Sequence, residues 1–329
     1  PERGRDGYDA LIRDLVAHGR APDRIAHFWL VTPRESFRPG SSFFHRNIEQ
    51  GFYSLLFLAQ AMTEENLPRP IHLSVVTNGA AQVRDESLPW PEKATIAGPA
   101  RVMPRELPGV TVATLDVELP APPKSRWARP DTAPLLALAD RVLEDLLATP
   151  ANTVAALRGA RRLERALRPL PLPAADGLAL AEGAAVLITG GFGGIGLTLA
   201  EDLIRRQQAR ILLIARRALP PRADWPAYLA ANDPTGPLAR RILAVQRLEA
   251  LGGRVIVTQA DVSNLEDMRA AVTAAEADIG PIRAVIHAAG VVDDGPLLTK
   301  TPAAVEEVFA PKLHGTQVLD TLFPDGRLD

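Results

Sequence analysis

The chain has 329 residues, 47% of them apolar, which is enough for two packed cores. A formal net charge of −2 without a long basic cluster argues against a nucleic-acid partner, and zero cysteines exclude a disulfide framework and a cysteine-ligated zinc. No apolar h-region follows Pro1-Glu2-Arg3-Gly4-Arg5-Asp6 and no 18-residue apolar run occurs, so the expectation is a soluble, cytoplasmic protein with no membrane partner.

In chain order, Leu11, Ile12, Leu15 and Val16 recur at helical spacing over residues 8–18. Residues 27–31 read as a strand ending at Thr32-Pro33, 39–42 as a loop, and 44–62 as a strongly apolar helix. Residues 71–77 are β-rich although they alternate poorly, and 110–117 read as a further strand. Strands alternating with helices predict an α/β fold with a parallel, doubly wound sheet. Neither Thr32-Pro33-Arg34-Glu35 nor Thr77-Asn78-Gly79-Ala80 offers a run of glycines opening a helix, so backbone amides cannot cradle a phosphate there. The Pro/Arg-rich run 119–126 is a connection, and 132–148 a helix whose Leu135, Leu136, Leu138, Val142, Leu143, Leu146 and Leu147 form one broad stripe, read as a packed core helix. The prolines of 169–173 with Asp176-Gly177 mark a boundary near residue 170, dividing the chain into 1–170 and 171–329.

Past that boundary the chemistry begins. Val186, Leu187 and Ile188 form a short buried strand that runs into Thr189-Gly190-Gly191-Phe192-Gly193-Gly194-Ile195-Gly196 and then into an apolar helix. Strand, glycine turn and helix point free backbone N–H groups and a positive helix end at a phosphate. The next strand, 210–215, ends in Arg216 and Arg217, where the dinucleotide fold places a carboxylate for a ribose 2′-hydroxyl or an arginine for a 2′-phosphate. The arginines favour NADPH over NADH. Trp225 and Tyr228 read as packing residues of an insertion, 238–251 as a helix stopped by Gly252-Gly253, and Ser263-x-x-Glu266 as a capping box. Strands at 254–260 and 284–286 run into Asp261-Val262 and His287-Ala288-Ala289-Gly290, so four strand ends face one crevice. Asp261 could accept from an adenine amino group there, and the small Ala288-Ala289-Gly290 turn would let a ribose lie close to the backbone. A last helix spans about 302–323.

The glycine loop at 189–196, Ala215-Arg216-Arg217, Ala260-Asp261-Val262-Ser263, and the run from His287 to Gly295 together resemble the ketoreductase domain of a modular (type I) polyketide synthase, in the short-chain dehydrogenase/reductase superfamily. The resemblance implies two Rossmann-like subdomains: 1–170 a truncated structural one without a cofactor loop, 171–329 the NADPH-binding catalytic one. It implies reduction of a β-ketoacyl chain carried on an acyl carrier protein, with neighbouring polyketide synthase domains as further partners. Phe309-Ala310-Pro311-Lys312-Leu313-His314-Gly315-Thr316 resembles the family's lysine motif, which makes Lys312 the catalytic lysine. Val292-Asp293-Asp294 resembles the Leu-Asp-Asp motif of B-type ketoreductases, with Asp294 diagnostic of a D-configured hydroxyl. The superfamily's serine and tyrosine find no match: Tyr8, Tyr53 and Tyr228 all precede the lysine, and none begins Tyr-x-x-x-Asn or Tyr-x-x-x-Lys. The expectation is an incomplete active site that does not turn over by itself. Two alternatives stay open, a non-catalytic scaffold segment of a megasynthase and an NAD-dependent sugar epimerase, the latter disfavoured by Arg216.

Overall fold

The described residues of this computed structural model, 4–32, 43–83, 85–121, 131–172 and 180–329, divide into two units: Pro1–Leu170 with Gly295–Lys300, and Pro171–Asp294 with Thr301–Asp329. The loop at 39–42, the residues after Thr32, most of the run 119–126 and the Asp176-Gly177 turn lie outside the described residues.

In the first unit the elements run α1 (Arg5–Ala17), β1 (Arg24–Leu30), α2 (Phe43–Ile48), a π-helical turn (Glu49–Tyr53), α3 (Ser54–Glu64), β2 (Ile71–Thr77), α4 (Ala97–Glu106), β3 (Val110–Val117), α5 (Ala133–Leu147), β4 (Thr153–Arg158) and β5 (Arg161–Glu164). The sheet order is β1-β2-β3-β4-β5, the first four strands parallel and β5 antiparallel. All seven residues of β2 are buried, and a strand covered on both faces has no polar side to alternate with. Because strand order follows chain order, the sheet lacks the reversal that opens a ligand crevice at strand ends.

The ends of β1 and β2 are closed from within. Lys93 is fully buried, and its ammonium donates to the carbonyls of Leu30 (2.9 Å) and Asn78 (3.0 Å), to Asn78 Oδ1 (2.9 Å) and to Thr32 Oγ1 (2.8 Å), while standing 4.3 Å from the Trp90 ring centroid. A buried ammonium is tolerated only when its donors are met in this way. The predicted core helix α5 departs from expectation. Leu138, Val142 and Leu146 pack against Leu115, Val117 and Leu157, but Leu135, Leu136, Leu143 and Leu147 are each more than half exposed. The stripe is wider than the single sheet face it can cover.

The second unit runs β6 (Ala185–Thr189), α6 (Gly194–Gln207), β7 (Arg210–Ala215), α7 (Trp225–Ala231), α8 (Pro237–Ala250), β8 (Val255–Gln259), α9 (Leu265–Ile279), β9 (Ile282–His287), α10 (Pro302–Phe309), a second π-helical turn (Ala310–His314) and α11 (Gly315–Leu322). All four strands are parallel in the order β8-β7-β6-β9. The chain leaves β6 in one direction and later returns to its other side. That reversal is a topological switch point. Val186, Ile188, Ile211 and Leu213 pack with residues of α6, α7 and α8, whereas Leu187, Leu212 and Ile214 pack with residues of α9 and α11. Trp225 is buried among the former, its indole N–H donating to the Pro220 carbonyl at 2.8 Å, and Tyr228 packs beside it. The α9 cap sits one residue later than the Ser-x-x-Glu pattern predicts: Asn264 Oδ1 accepts from the amides of Glu266 and Asp267, and Ser263 is held by Asp261 instead.

Gly295–Lys300 lies in sequence between parts of the second unit but packs in the first. The Gln60 side-chain amide, itself buried, donates to the carbonyls of Leu297 (3.1 Å) and Lys300 (2.9 Å), and its oxygen accepts from Arg5 at 2.6 Å. Glu106 accepts from the Leu297 amide at 2.7 Å.

Candidate functional site

The carboxyl end of β6 is the centre of the second unit. Thr189, fully buried, is in register with His287 at the end of β9 across the switch point. Gly190 follows with φ +63°, a conformation glycine adopts without strain. A Cβ there would stand 2.6 Å from the Ala288 carbonyl oxygen, so the loop after β6 touches the turn after β9 backbone to backbone. Gly196 is required by a similar approach, its would-be Cβ lying 2.9 Å from Gly191 Cα, which lets the first turn of α6 fold onto the loop. Gly194 is different: nothing lies within 4 Å of a Cβ built there. The amides of Gly194, Ile195 and Gly196 make no hydrogen bond among the described residues, no side chain caps α6, and residues 193–195 are exposed. These unpaired donors at a helix N-terminus fit a phosphate.

Arg216 and Arg217 follow β7, are exposed, and their guanidinium groups have no partner among the described residues. Arg216 lines a cavity of about 700 Å³ together with Ala260 and Asp261. Asp261 Oδ1 accepts from the amide (2.9 Å) and hydroxyl (2.7 Å) of Ser263, which fixes the turn after β8. Val262 is buried against α11, with its Cγ1 3.0 Å from where a Gly315 Cβ would be. Phe192 packs partly buried against the α6 side of the sheet with the Arg241 guanidinium 5.5 Å from its ring. Gly191 packs under Leu213.

On the other side of the switch point the turn 288–290 meets the lysine. The amide of Ala288 donates to the Thr189 carbonyl (3.2 Å) and that of Ala289 to Thr189 Oγ1 (3.3 Å). The Lys312 Cε is 3.3 Å from the Cβ position of Gly290, so the lysine stem lies directly over that glycine. Lys312 sits in a π-helical turn, Ala310–His314, within an otherwise unbroken helical run from Pro302 to Leu322. Pro311, which has no N–H for the α-helical ladder, explains why the run widens there. Among the sequence-predicted residues the structure therefore brings together Thr189, Gly190, Ala288, Ala289, Gly290 and Lys312, and separately Arg216 and Asp261. Asp294 is exposed and is the last residue before the chain enters the first unit. Tyr8 and Tyr53 belong to the first unit, where Tyr8 bonds Ser54 and Tyr53 stacks on Phe57.

Sequence reasoning missed the part played by His287. Its Nδ1 is 2.7 Å from Thr189 Oγ1 and its Nε2 is 2.9 Å from the Pro311 carbonyl oxygen, one residue before Lys312. A histidine closing an apolar strand, directly before a small-residue turn, was the available signal. Among the described residues no helix is long and apolar enough to cross a membrane, and no three His, Cys, Asp or Glu side chains are grouped to hold a metal.

The KR domain family profile matches residues 184–329, and a profile described as beta-ketoacyl synthase-like, N-terminal, matches residues 1–126. The chain is 40% identical over 189 residues to a phenolphthiocerol/phthiocerol polyketide synthase of Mycobacterium tuberculosis, covering 57% of this chain and 10% of that protein. It is 33% identical over 282 residues to 6-methylsalicylic acid synthase of Aspergillus terreus, covering 84% and 14%. The chain thus spans a small part of the curated relatives it matches. In fold it is similar to the first ketoreductase of the tylosin polyketide synthase, with a TM-score of 0.70, 24% identity, and coverage of 99% of this chain and 60% of that one.

Proposed function

From the premise that the chain belongs to the ketoreductase domains of type I polyketide synthases, we propose that it binds NADPH and serves the reduction of a β-keto group on a chain tethered to an acyl carrier protein. The observation that carries this reading is the switch-point crevice at Thr189 and His287, rimmed by three unpaired amides at the start of α6. When bound, NADPH supplies the hydride. Gly194, Ile195 and Gly196 hold its pyrophosphate through backbone N–H groups, and Arg216, backed by Arg217, holds the 2′-phosphate, which an arginine can clasp bidentately. The turn 288–290 leaves room for a ribose. Lys312 presents its ammonium beside that turn, where positive charge holds ribose hydroxyls and favours the ionised form of a proton donor.

Asp294 sets the approach of the substrate to give the D-configured hydroxyl of a B-type ketoreductase. Determining the product configuration of the intact module, and of the same module with Asp294→Ala, tests this. No tyrosine of this sequence begins the family's Tyr-x-x-x-Asn or Tyr-x-x-x-Lys motif, and turnover by residues 1–329 alone is not expected. Binding is therefore the decisive measurement. The chain should bind NADPH at least tenfold more tightly than NADH, and Arg216→Ala should weaken NADPH by roughly 10- to 100-fold while leaving NADH unchanged. Equal affinity for the two dinucleotides would undo the reading and favour the epimerase alternative.

A further inference from the structure

We propose that His287 is a positioning residue: it staples the π-helical turn that carries Lys312 to the end of β6, and so fixes the lysine over Gly290. The proposal rests on the NADPH-binding reading for its consequence and on the hydrogen-bond circuit for its geometry. The Pro311 carbonyl can only accept, so His287 Nε2 carries a proton. Thr189 Oγ1 already accepts from the Ala289 amide, which leaves its own proton to donate to Nδ1. In the neutral Nε2–H tautomer every donor along this line therefore meets an acceptor: Ala289 N–H to Thr189, Thr189 O–H to His287, His287 N–H to Pro311.

Each end of the circuit is itself fixed. Thr189 is fully buried in the central strand and His287 is in register with it. Pro311 lies inside the turn Ala310–His314, where the Gly315 amide bonds the Ala310 carbonyl five residues back. Pro311 leaves the run one N–H short, so an outside bond to the Pro311 carbonyl adds to what holds this turn, and the Lys312 backbone with it, in place. Gly315 lies beside the ring: a Cβ there would stand 3.4 Å from His287 Cε1, an ordinary contact, and a tight 3.0 Å from Val262 Cγ1. The ring nitrogens bond Thr189 and the Pro311 carbonyl, so His287 acts on Lys312 through the backbone.

The test uses the full 329-residue chain with three variants, His287→Phe, His287→Gln and Thr189→Val, each checked for an unchanged circular dichroism spectrum. Phenylalanine fills the ring volume without either nitrogen, glutamine keeps one donor and one acceptor, and valine removes the Thr189 leg alone. In the cofactor-free chain, amide hydrogen exchange at residues 313–316 should speed up roughly tenfold in His287→Phe and Thr189→Val and return toward wild type in His287→Gln. For NADPH, His287→Phe should weaken binding roughly 5- to 20-fold, and the same change in a Lys312→Ala background should cost little more, because the two act in series. Unchanged exchange in all three variants, or an equal fold-loss with and without Lys312, would overturn the proposal. If the wild-type chain does not bind NADPH, the functional reading fails, while the exchange experiment still decides whether His287 holds the turn.

Discussion

His27 is a buried titratable group whose behaviour follows from its surroundings. It lies in β1, 4% exposed, with Nε2 2.8 Å from Ser54 Oγ and Nδ1 without a partner among the described residues. Burial pushes its imidazole from the ordinary 6.5 down to about 4, since a charged ring would lose its hydration there. A group whose folded value is depressed stabilises the fold above its unfolded value and withdraws that support as pH falls. The support from His27 is therefore complete above pH 6.5 and declines toward about 4, a change on the order of 3 kcal/mol. Urea midpoints measured across that window should fall more steeply in the wild type than in His27→Gln; parallel profiles would show that the ring is not the group responsible. Gly190 is the second residue whose replacement has a defined cost. Alanine there would combine a left-handed backbone with a contact 2.6 Å from the Ala288 oxygen. A destabilisation of about 2 to 4 kcal/mol in chemical denaturation, together with loss of NADPH binding, is expected for Gly190→Ala.

Among the elements, those with strong local signals were legible in the sequence. β6, the glycine loop and α6 carry an apolar run, a turn and an amphipathic face within about 20 residues, and the structure places them as read. The antiparallel pair β4 and β5 was not legible. Ala155 and Ala156 give β4 little β-branched character, and β5 is Arg161-Arg162-Leu163-Glu164, which reads as a charged surface run. What makes them strands is pairing with β3 and with each other, a tertiary effect. The two π-helical turns were missed because helical periodicity is unchanged on either side of one extra residue. The apolar stripe of α5 was visible, but its split into an inward row and an exposed row depends on how much sheet lies beneath it. Gln60 gives this scale its own prediction. Its amide serves Leu297 and Lys300 and its oxygen serves Arg5, so Gln60→Leu leaves two carbonyls in the 295–300 segment without that donor. Denaturant melts should show a loss of about 2 to 3 kcal/mol, more than the same change at an exposed glutamine.

For the molecule as a whole, the two sheets differ in strand order. The second has strand order β8-β7-β6-β9 and a reversal at β6, while the first runs in sequence order and has Lys93 across the ends of β1 and β2. The sequence predicts no phosphate cradle in the first unit from its lack of glycines, and the strand order of that sheet is a separate observation. Strand order was not readable from periodicity, because β1 to β3 look the same whichever way the sheet is wound.

The six residues 295–300 carry a practical lesson for anyone recombining chains of this fold. A chimera that swaps residues 1–170 as one cassette transplants Gln60 and Glu106 but leaves behind the strip of backbone they grip. Grafting that hexapeptide along with its host should raise the melting temperature of the hybrid above that of the simple swap, and equal melting would mean the junction can be cut anywhere. Breakpoints in such engineering are then a matter of which side chains hold which backbone, and a single cut in the linear order does not separate the parts.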